Sequence, residues 1–186
     1  MSRRRLLLAV CTAALAGCAS LGGRPAAQGP IDVWRGRFAL TVEPSPQAPD
    51  GQRSTGRFVL THASSFTELE LVSPLGNTLA AARSDAQGAT LKTADGKTWK
   101  AANPDELTEQ LFGWRIPITR LPPWLRGQVE TVTETGEPLP GGRRRPLAGT
   151  EQGWQVRYDL WADAAPQRLT AIYPGRVNLR LIVDEH

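Results

Sequence analysis

The stretch FTELELVSPLGNTL, residues 66–79, decides the fold class because it joins a strand pattern to a tight turn. Glutamate and leucine alternate over residues 68–71, which is the period of two of a strand with one apolar and one polar face. The tetrapeptide Ser-Pro-Leu-Gly at 73–76 then has the composition of a type I turn. The pattern predicts a strand that ends in a turn projecting from a sheet.

Leu75 is the one residue of this tetrapeptide without a role in the turn. It occupies the third corner, where a side chain is expected to face water. A single exposed leucine is common on protein surfaces and needs no explanation. An aliphatic side chain on a turn tip also suits contact with a membrane, and the residues alone leave both interpretations open.

Alternating apolar and polar residues continue along most of the chain, as at residues 37–42. The segment GATLKTADGKTWKA, residues 88–101, predicts a hairpin around the Asp-Gly pair at 95–96. Later turns are expected at Pro166 and at Pro174. Many short strands at turn spacing indicate a mainly β protein whose antiparallel sheet curls into a barrel or a sandwich.

One helix is predicted among these strands. Asn103 has the character of an N-cap, Pro104 suits the first helical position, and two acidic residues follow in the first turn. The helix is expected to run to about Phe112, with Leu107 and Leu111 on one face.

The connector that follows, GWRIPITRLPPWLRG at residues 113–127, is unusually apolar. Its three prolines prevent a continuous helix and leave room for a short turn at about residues 123–126. The segment either closes one end of a filled core or forms a lid over a cavity, and its composition favours neither. The large apolar side chains that need cover are Trp114, Ile116, Ile118, Leu121, Trp124 and Leu125.

The first seventeen residues have the pattern of an export signal, with three arginines followed by an apolar run too short to span a bilayer. The sequence LAGC at 15–18 resembles the lipobox of bacterial lipoproteins. That resemblance implies cleavage before Cys18 and acylation of this residue. An ordinary secretory signal cut nearby is the alternative. Residues 18–30 are expected to form a lipidated flexible tether, and residues 31–186 a single domain.

Charge and residue content argue against several function classes. The chain has 22 Lys and Arg against 18 Asp and Glu, and three of these arginines lie in the signal, so the mature chain is nearly neutral. No nucleic-acid partner is therefore expected. Two histidines and no cysteine after Cys18 make a metal site or metal cofactor unexpected. His62 near Ser64 and Ser65 is more typical of a structural histidine than of a catalytic triad, and no enzyme activity is predicted.

The lipobox, the stretch LELVSPLGNTLA and the connector LFGWRIPITRLPPWLRG together resemble the LolB family of outer-membrane lipoprotein receptors, within the LolA/LolB-like superfamily. The resemblance covers nearly all of residues 31–186. It implies an incomplete antiparallel β-barrel with short helices covering an apolar cavity. The proline pair at 122–123 and the loops at 43–52 and 135–146 depart from the family pattern.

The resemblance also implies a function. It describes a lipid-anchored receptor on the periplasmic side of the outer membrane of a Gram-negative bacterium. A LolA-like periplasmic carrier delivers lipoproteins to it, and it inserts them into outer-membrane lipid; no cofactor is implied, and a monomer is expected. The alternative is a structural or sensing envelope lipoprotein with the same fold and no transfer activity.

The resemblance assigns roles to particular residues. Pro74, Leu75 and Gly76 become a membrane-insertion loop, with Leu75 matching an essential leucine of the family. Ala19, which is not aspartate, implies sorting to the outer membrane. The acyl-chain cavity or its lid is expected to include Leu107, Leu111, Trp114, Ile116, Trp124 and Leu125.

Replacing Cys18 tests the lipid anchor. The Cys18→Ala chain is expected to lose its association with outer membranes, because no other mature residue offers a thiol for acylation. Fractionation of cells, with mass spectrometry of the mature N-terminus, measures the outcome. A Cys18→Ala chain that still fractionates with outer membranes like the unchanged chain would contradict the anchor.

Overall fold

The structure is a computed structural model that describes residues 29–44, 49–112 and 115–186. The predicted signal peptide, Cys18 and most of the predicted tether lie outside the described residues, as does Trp114. Within the described ranges the chain is built from eleven strands, two α-helices and one short 3₁₀ helix.

All eleven strands belong to one antiparallel sheet with the order β6-β5-β4-β3-β2-β1-β11-β10-β9-β8-β7. Strands β6 and β7 form the two edges and do not pair with each other in the described part of the chain, so the sheet is open. The prediction of an incomplete antiparallel barrel is confirmed. The strands are β1 Asp32–Val42, β2 Gln52–Ala63, β3 Phe66–Val72, β4 Thr78–Asp85, β5 Gly88–Thr93, β6 Thr98–Ala101, β7 Thr131–Pro138, β8 Arg144–Glu151, β9 Trp154–Ala162, β10 Ala165–Tyr173 and β11 Val177–Glu185.

The pairing of β1 with β11 joins two halves of the sheet. On one side β1 pairs with β2, from which consecutive hairpins lead to β6, and on the other side β11 leads back through β10 to β7. Every neighbouring pair is antiparallel, so each turn lies at one of two ends of the sheet. The turn at 73–77, the hairpin at 94–97 and the turn at 174–176 share one end, which we call the turn end.

The helical connector crosses from β6 to β7. Helix α1, Pro104–Phe112, begins as predicted: Asn103 Oδ1 accepts a hydrogen bond of 2.9 Å from the Glu106 N–H, and the Asn103 amide donates to the Glu106 carboxylate at 2.9 Å. This reciprocal arrangement satisfies groups that an uncapped helix would leave unpaired. A 3₁₀ helix, Ile118–Arg120, leads directly into α2, Leu121–Leu125.

Helix α2 begins two residues earlier than the turn predicted at about 123–126. Pro122 and Pro123 lie in its first turn, where a backbone N–H has no partner within the helix and its absence costs little. The prolines therefore open this helix and do not interrupt it. Leu121, Pro122, Trp124 and Leu125 are buried.

The expected turn at Pro166 is wrong. Pro166 is a buried residue within β10, and the turn lies just before it at Asp163, which has a φ of 50°. The pairing of β10 with β9 shifts register between Pro166 and Arg168. Proline lacks the N–H that a regular ladder uses, so it is tolerated in a strand at such an irregularity.

Side chains on the concave face of the sheet form the core. The main cluster combines residues of β1, β2 and β9–β11 with α2, and a smaller one lies between α1 and strands β4 and β5. Residues of the main cluster less than 2% exposed are Trp34, Leu60, Trp124, Leu125, Val156, Leu169 and Ala171.

Candidate functional site

A cavity of about 330 Å³ lies between the concave face of the sheet and the helical connector. Strands β1 to β5 and β11 form its walls, and both helices contribute to it. Its lining residues are Phe38, Leu40, Val42, Gln52, Ser54, Phe58, Leu60, Leu69, Leu71, Leu79, Ala80, Ala82, Leu91, Thr93, Leu107, Thr108, Ile116, Ile118, Leu121, Leu125, Leu179 and Leu181.

The lining is almost entirely aliphatic and aromatic. Among the described residues only four polar side chains contribute to it, and none of the lining residues is charged. Gln52 is paired with Val42, and Thr93 with Ala80, which places both at the turn end of the sheet together with Ser54. Three of the four polar side chains therefore lie at the turn end, and the fourth, Thr108 of α1, accepts a 2.8 Å hydrogen bond from the Ile116 N–H.

The structure brings together part of the predicted cavity set. Leu107 of α1, Ile116 of the connector and Leu125 of α2 all line the cavity. Leu111 packs on the smaller cluster beneath α1 and does not reach the lining. Trp114 lies outside the described residues.

Trp124 is placed differently from Leu125, its neighbour in α2. Its ring is 1% exposed and packs against Trp154, with 5.9 Å between ring centroids. The indole N–H donates a 2.9 Å hydrogen bond to the carboxylate of Glu151, which is 4% exposed. The same carboxylate accepts from the Glu130 N–H at 3.3 Å and forms an ion pair with Arg120. Trp124 thus fixes α2 to the sheet while the opposite side of the helix covers the cavity.

A second ion pair holds the other end of α2. Arg126 pairs with Asp32 of β1, and its guanidinium lies over the ring of Trp34 at 5.4 Å. The hydrogen bond from Arg126 lowers the pKa of the Asp32 carboxyl from its ordinary value, so the pair remains charged at neutral pH. Helix α2 is therefore fixed at both of its ends.

The turn at 73–77 has the predicted geometry. The Gly76 N–H donates to the Ser73 carbonyl at 2.9 Å, and the Ser73 hydroxyl oxygen accepts a hydrogen bond of 3.1 Å from the Asn77 N–H. Gly76 has a φ of 88°, in the left-handed region that favours glycine. Pro74 and Leu75 lie at the exposed tip.

Leu75 is 89% exposed. The other large apolar side chains that the structure shows as exposed range from 39% for Trp99 to 50% for Ile31. The hydrogen bonds of the turn hold the Leu75 backbone outward, so its side chain has no route to the core. It lies at the same end of the sheet as Gln52, Ser54 and Thr93 of the cavity, because β3 and β4 pair at Val72 and Thr78.

His62, the one candidate for catalysis considered above, shares a 2.9 Å hydrogen bond between its Nδ1 and the Thr67 hydroxyl on the neighbouring strand. Burial is the main cause that lowers the pKa of the imidazole, which is therefore neutral at pH 7. The contact joins β2 to β3, in keeping with a structural histidine.

Comparison with known proteins identifies the family of this chain. A family model described as "Outer membrane lipoprotein LolB" matches residues 33–185. The chain belongs to the LolB family. Its relatives include proteins named outer-membrane lipoprotein LolB from Dechloromonas aromatica (38% identical, covering 98% of this chain and 97% of the relative), Bordetella petrii (34%, 98% and 92%) and Ralstonia nicotianae (30%, 97% and 95%). Within the described ranges no helix has the length and hydropathy required to cross a bilayer.

Removing one of the hydrogen-bond donors to the Glu151 carboxylate tests the attachment of α2. Trp124→Phe keeps an aromatic ring but leaves the buried carboxylate without its indole partner, so the free energy of unfolding is expected to fall by about 1–3 kcal/mol. Trp99→Phe, at an exposed position of β6, is the matched control and is expected to change it by less than about 0.5 kcal/mol. Equal stabilities in denaturant titration would contradict the role assigned to this hydrogen bond.

Proposed function

We propose that the protein is a lipoprotein receptor of the outer membrane. It accepts the acyl chains of a lipoprotein from a LolA-like carrier into the cavity and releases them into outer-membrane lipid, while an anchor at Cys18 holds it at the periplasmic surface. The observation that carries this proposal is an uncharged apolar cavity whose polar end coincides with the end of the sheet that presents Leu75.

The cost of exposing acyl chains to water explains why such a cavity is needed. Each CH₂ group transferred from lipid to water costs about 0.8 kcal/mol, so a 16-carbon chain costs on the order of 12 kcal/mol. A lipoprotein carries more than one chain and would not cross an aqueous space unprotected at a useful rate. Transfer between two apolar sites placed mouth to mouth avoids most of this cost and requires no nucleotide.

The size of the cavity indicates that part of its cover moves. A volume of about 330 Å³ is at the lower end of the range for small-molecule pockets, roughly 300–1,000 Å³. Helix α2 is fixed through Glu151 and Asp32, whereas α1 meets the sheet through Leu107 and Leu111. We therefore assign the displacement that admits complete acyl chains to α1.

The Leu75 turn supplies the contact with the membrane. Burying a leucine side chain contributes about 1.5–3 kcal/mol, which suffices to keep a turn in the interfacial layer when an anchor already holds the protein nearby. The alternative, a structural lipoprotein without transfer activity, would be expected to have a filled core. The cavity favours the receptor.

Leu75→Glu is expected to separate acceptance from delivery. The turn backbone is held by Ser73 and Gly76, so the variant should fold with a stability within about 0.5 kcal/mol of the unchanged protein. It should accept lipoprotein from the carrier, since the cavity is unaltered. It should fail to deliver lipoprotein into vesicles, because placing a carboxylate in the interfacial layer is costly.

Leu160→Glu is the matched control, since Leu160 is exposed at 42% on β9, away from the turn. It is expected to accept and deliver normally. Normal delivery by Leu75→Glu would remove the membrane role. Equal loss of acceptance and delivery would place Leu75 at the carrier contact.

A polar side chain in the cavity is expected to weaken acyl-chain binding. Leu71 is partly buried on β3 and lines the cavity, so Leu71→Gln introduces an amide that an acyl chain would have to desolvate. Displacement of a fluorescent fatty acid should show at least about tenfold weaker binding, equivalent to 1.4 kcal/mol. Leu160→Gln serves as the control, and unchanged binding by Leu71→Gln would place the ligand elsewhere.

A further inference from the structure

We propose that a basic hollow on the convex face of the sheet, beside the Leu75 turn, binds the phosphate headgroups of anionic phospholipids. This inference rests on the proposed membrane contact of Leu75 and extends it to a second class of contact. The hollow has a volume of about 400 Å³ and is separate from the acyl-chain cavity, which lies on the concave face. Its lining residues are Arg37, Phe38, Ala39, Thr55, Gly56, Arg57, Pro74, Arg180 and Ile182.

The register of three strands explains why a hollow forms here. Ala39 of β1 lies between Thr55 of β2 and Arg180 of β11, and all three point to the convex face. Two positions along, Arg37 lies between Arg57 and Ile182 in the same way. Short side chains therefore form the floor, and three arginines stand around it.

Two of these arginines, Arg57 and Arg180, keep their charge available for a ligand, whereas the third, Arg37, does not. Arg37 is held by Asp184, with hydrogen bonds of 2.9 and 3.2 Å from its guanidinium to the two carboxylate oxygens. Arg57 and Arg180 form no ion pair with any residue in the described ranges. The nearest acid on β3, Glu70, accepts a 3.3 Å hydrogen bond from the Thr78 hydroxyl. Arg57 and Arg180 thus give the hollow positive charge that no carboxylate within the described chain neutralises by direct contact.

The hollow and the membrane-facing turn are continuous. Pro74 lines the hollow and precedes Leu75 directly, so one trans peptide, about 3.8 Å between Cα atoms, separates the two features. When Leu75 enters the apolar edge of a bilayer, Pro74 and the hollow lie at the level of the headgroups. Arginine suits this position because its guanidinium binds phosphate oxygens in pairs and its stem packs on apolar surface.

Charge complementarity commits this surface to an anionic lipid. A zwitterionic headgroup brings its own cation to the arginines, whereas phosphatidylglycerol offers a phosphate without one. Attraction to a negatively charged membrane surface strengthens binding by about fivefold for each basic residue near it. The pair Arg57 and Arg180 is therefore expected to contribute about 25-fold on anionic membranes and little on neutral ones.

The test uses the mature chain, residues 18–186, with Cys18→Ala, so that binding reports the protein surface and not the anchor. Co-sedimentation is measured with phosphatidylcholine vesicles and with vesicles that also contain phosphatidylglycerol. Phosphatidylglycerol should strengthen binding of the unchanged surface. The variant with Arg57→Gln and Arg180→Gln should bind the phosphatidylglycerol vesicles about 25-fold more weakly, while its binding to pure phosphatidylcholine stays unchanged.

A matched control removes two exposed arginines at and just before the start of β8, away from the hollow, Arg143→Gln with Arg144→Gln, and is expected to weaken binding by less than about threefold. A second variant, Ala39→Glu, places an acid on the floor of the hollow and should abolish the preference for phosphatidylglycerol even though both arginines remain. Circular dichroism and thermal unfolding are measured for each variant to establish that it is folded.

Three results would overturn the headgroup site: no strengthening by phosphatidylglycerol, equal losses in the arginine pair and its control, or an unchanged preference in Ala39→Glu. The Leu75→Glu variant separates this failure from that of the proposed function. Leu75→Glu should lose binding to both kinds of vesicle. If it does so while the arginine pair binds normally, only the headgroup site fails, and if it binds both kinds normally the membrane role of the turn fails as well.

Discussion

The carboxylate of Glu151 determines how the apolar side of the open sheet is covered. A charge buried at 4% exposure is costly unless donors surround it, and its side-chain partners, Arg120 and Trp124, come from the helical connector. Satisfying this one group therefore fixes both the position and the rotation of α2. With Trp124 turned toward the sheet, Leu121 and Leu125 are left to line the cavity.

The concave face is filled in one half of the sheet and leaves a cavity beneath the helices in the other. In the half formed by β8 to β11, large rings such as Trp154, Tyr158 and Tyr173 fill the concave face. Trp154 packs on Tyr173 and Tyr158 on Trp161, each with 5.5 Å between ring centroids. In the half formed by β2 to β5 the inward residues are mainly leucine and alanine, and space remains above them. The filled half supplies stability, and the emptier half supplies a surface of short aliphatic side chains suited to a chain of CH₂ groups.

Local patterns were sufficient to predict most of the strands, the Asp-Gly hairpin and the cap at Asn103, because each depends on neighbours in sequence. They did not predict β7 and β8, and residues 135–146, expected to be a loop, include the end of one and the start of the other. The cavity did not follow from them, since its volume depends on side chains from six strands that meet only in the fold. Trp124 and Leu125 look equivalent in a list of apolar residues, yet the distant Glu151 separates their roles. The one available signal was that Glu151 lies two residues after Gly149, on the inward face of β8, which is an unusual place for a lone acid; it indicates burial without naming the partner.

The antiparallel register links the cavity to the membrane-facing surface. Leu71 lines the cavity on the inner face of β3, while the next residues of the same strand lead into the turn that presents Leu75. Under the proposed function, an acyl chain that leaves by the polar end emerges beside the residue that contacts lipid. Each CH₂ exposed on the way costs about 0.8 kcal/mol, so shortening that path by even a few groups accelerates delivery by orders of magnitude. A hairpin is an economical way to achieve this, because a strand that lines a cavity must turn at its mouth, and the turn residue there is free to take an apolar side chain that the core does not need.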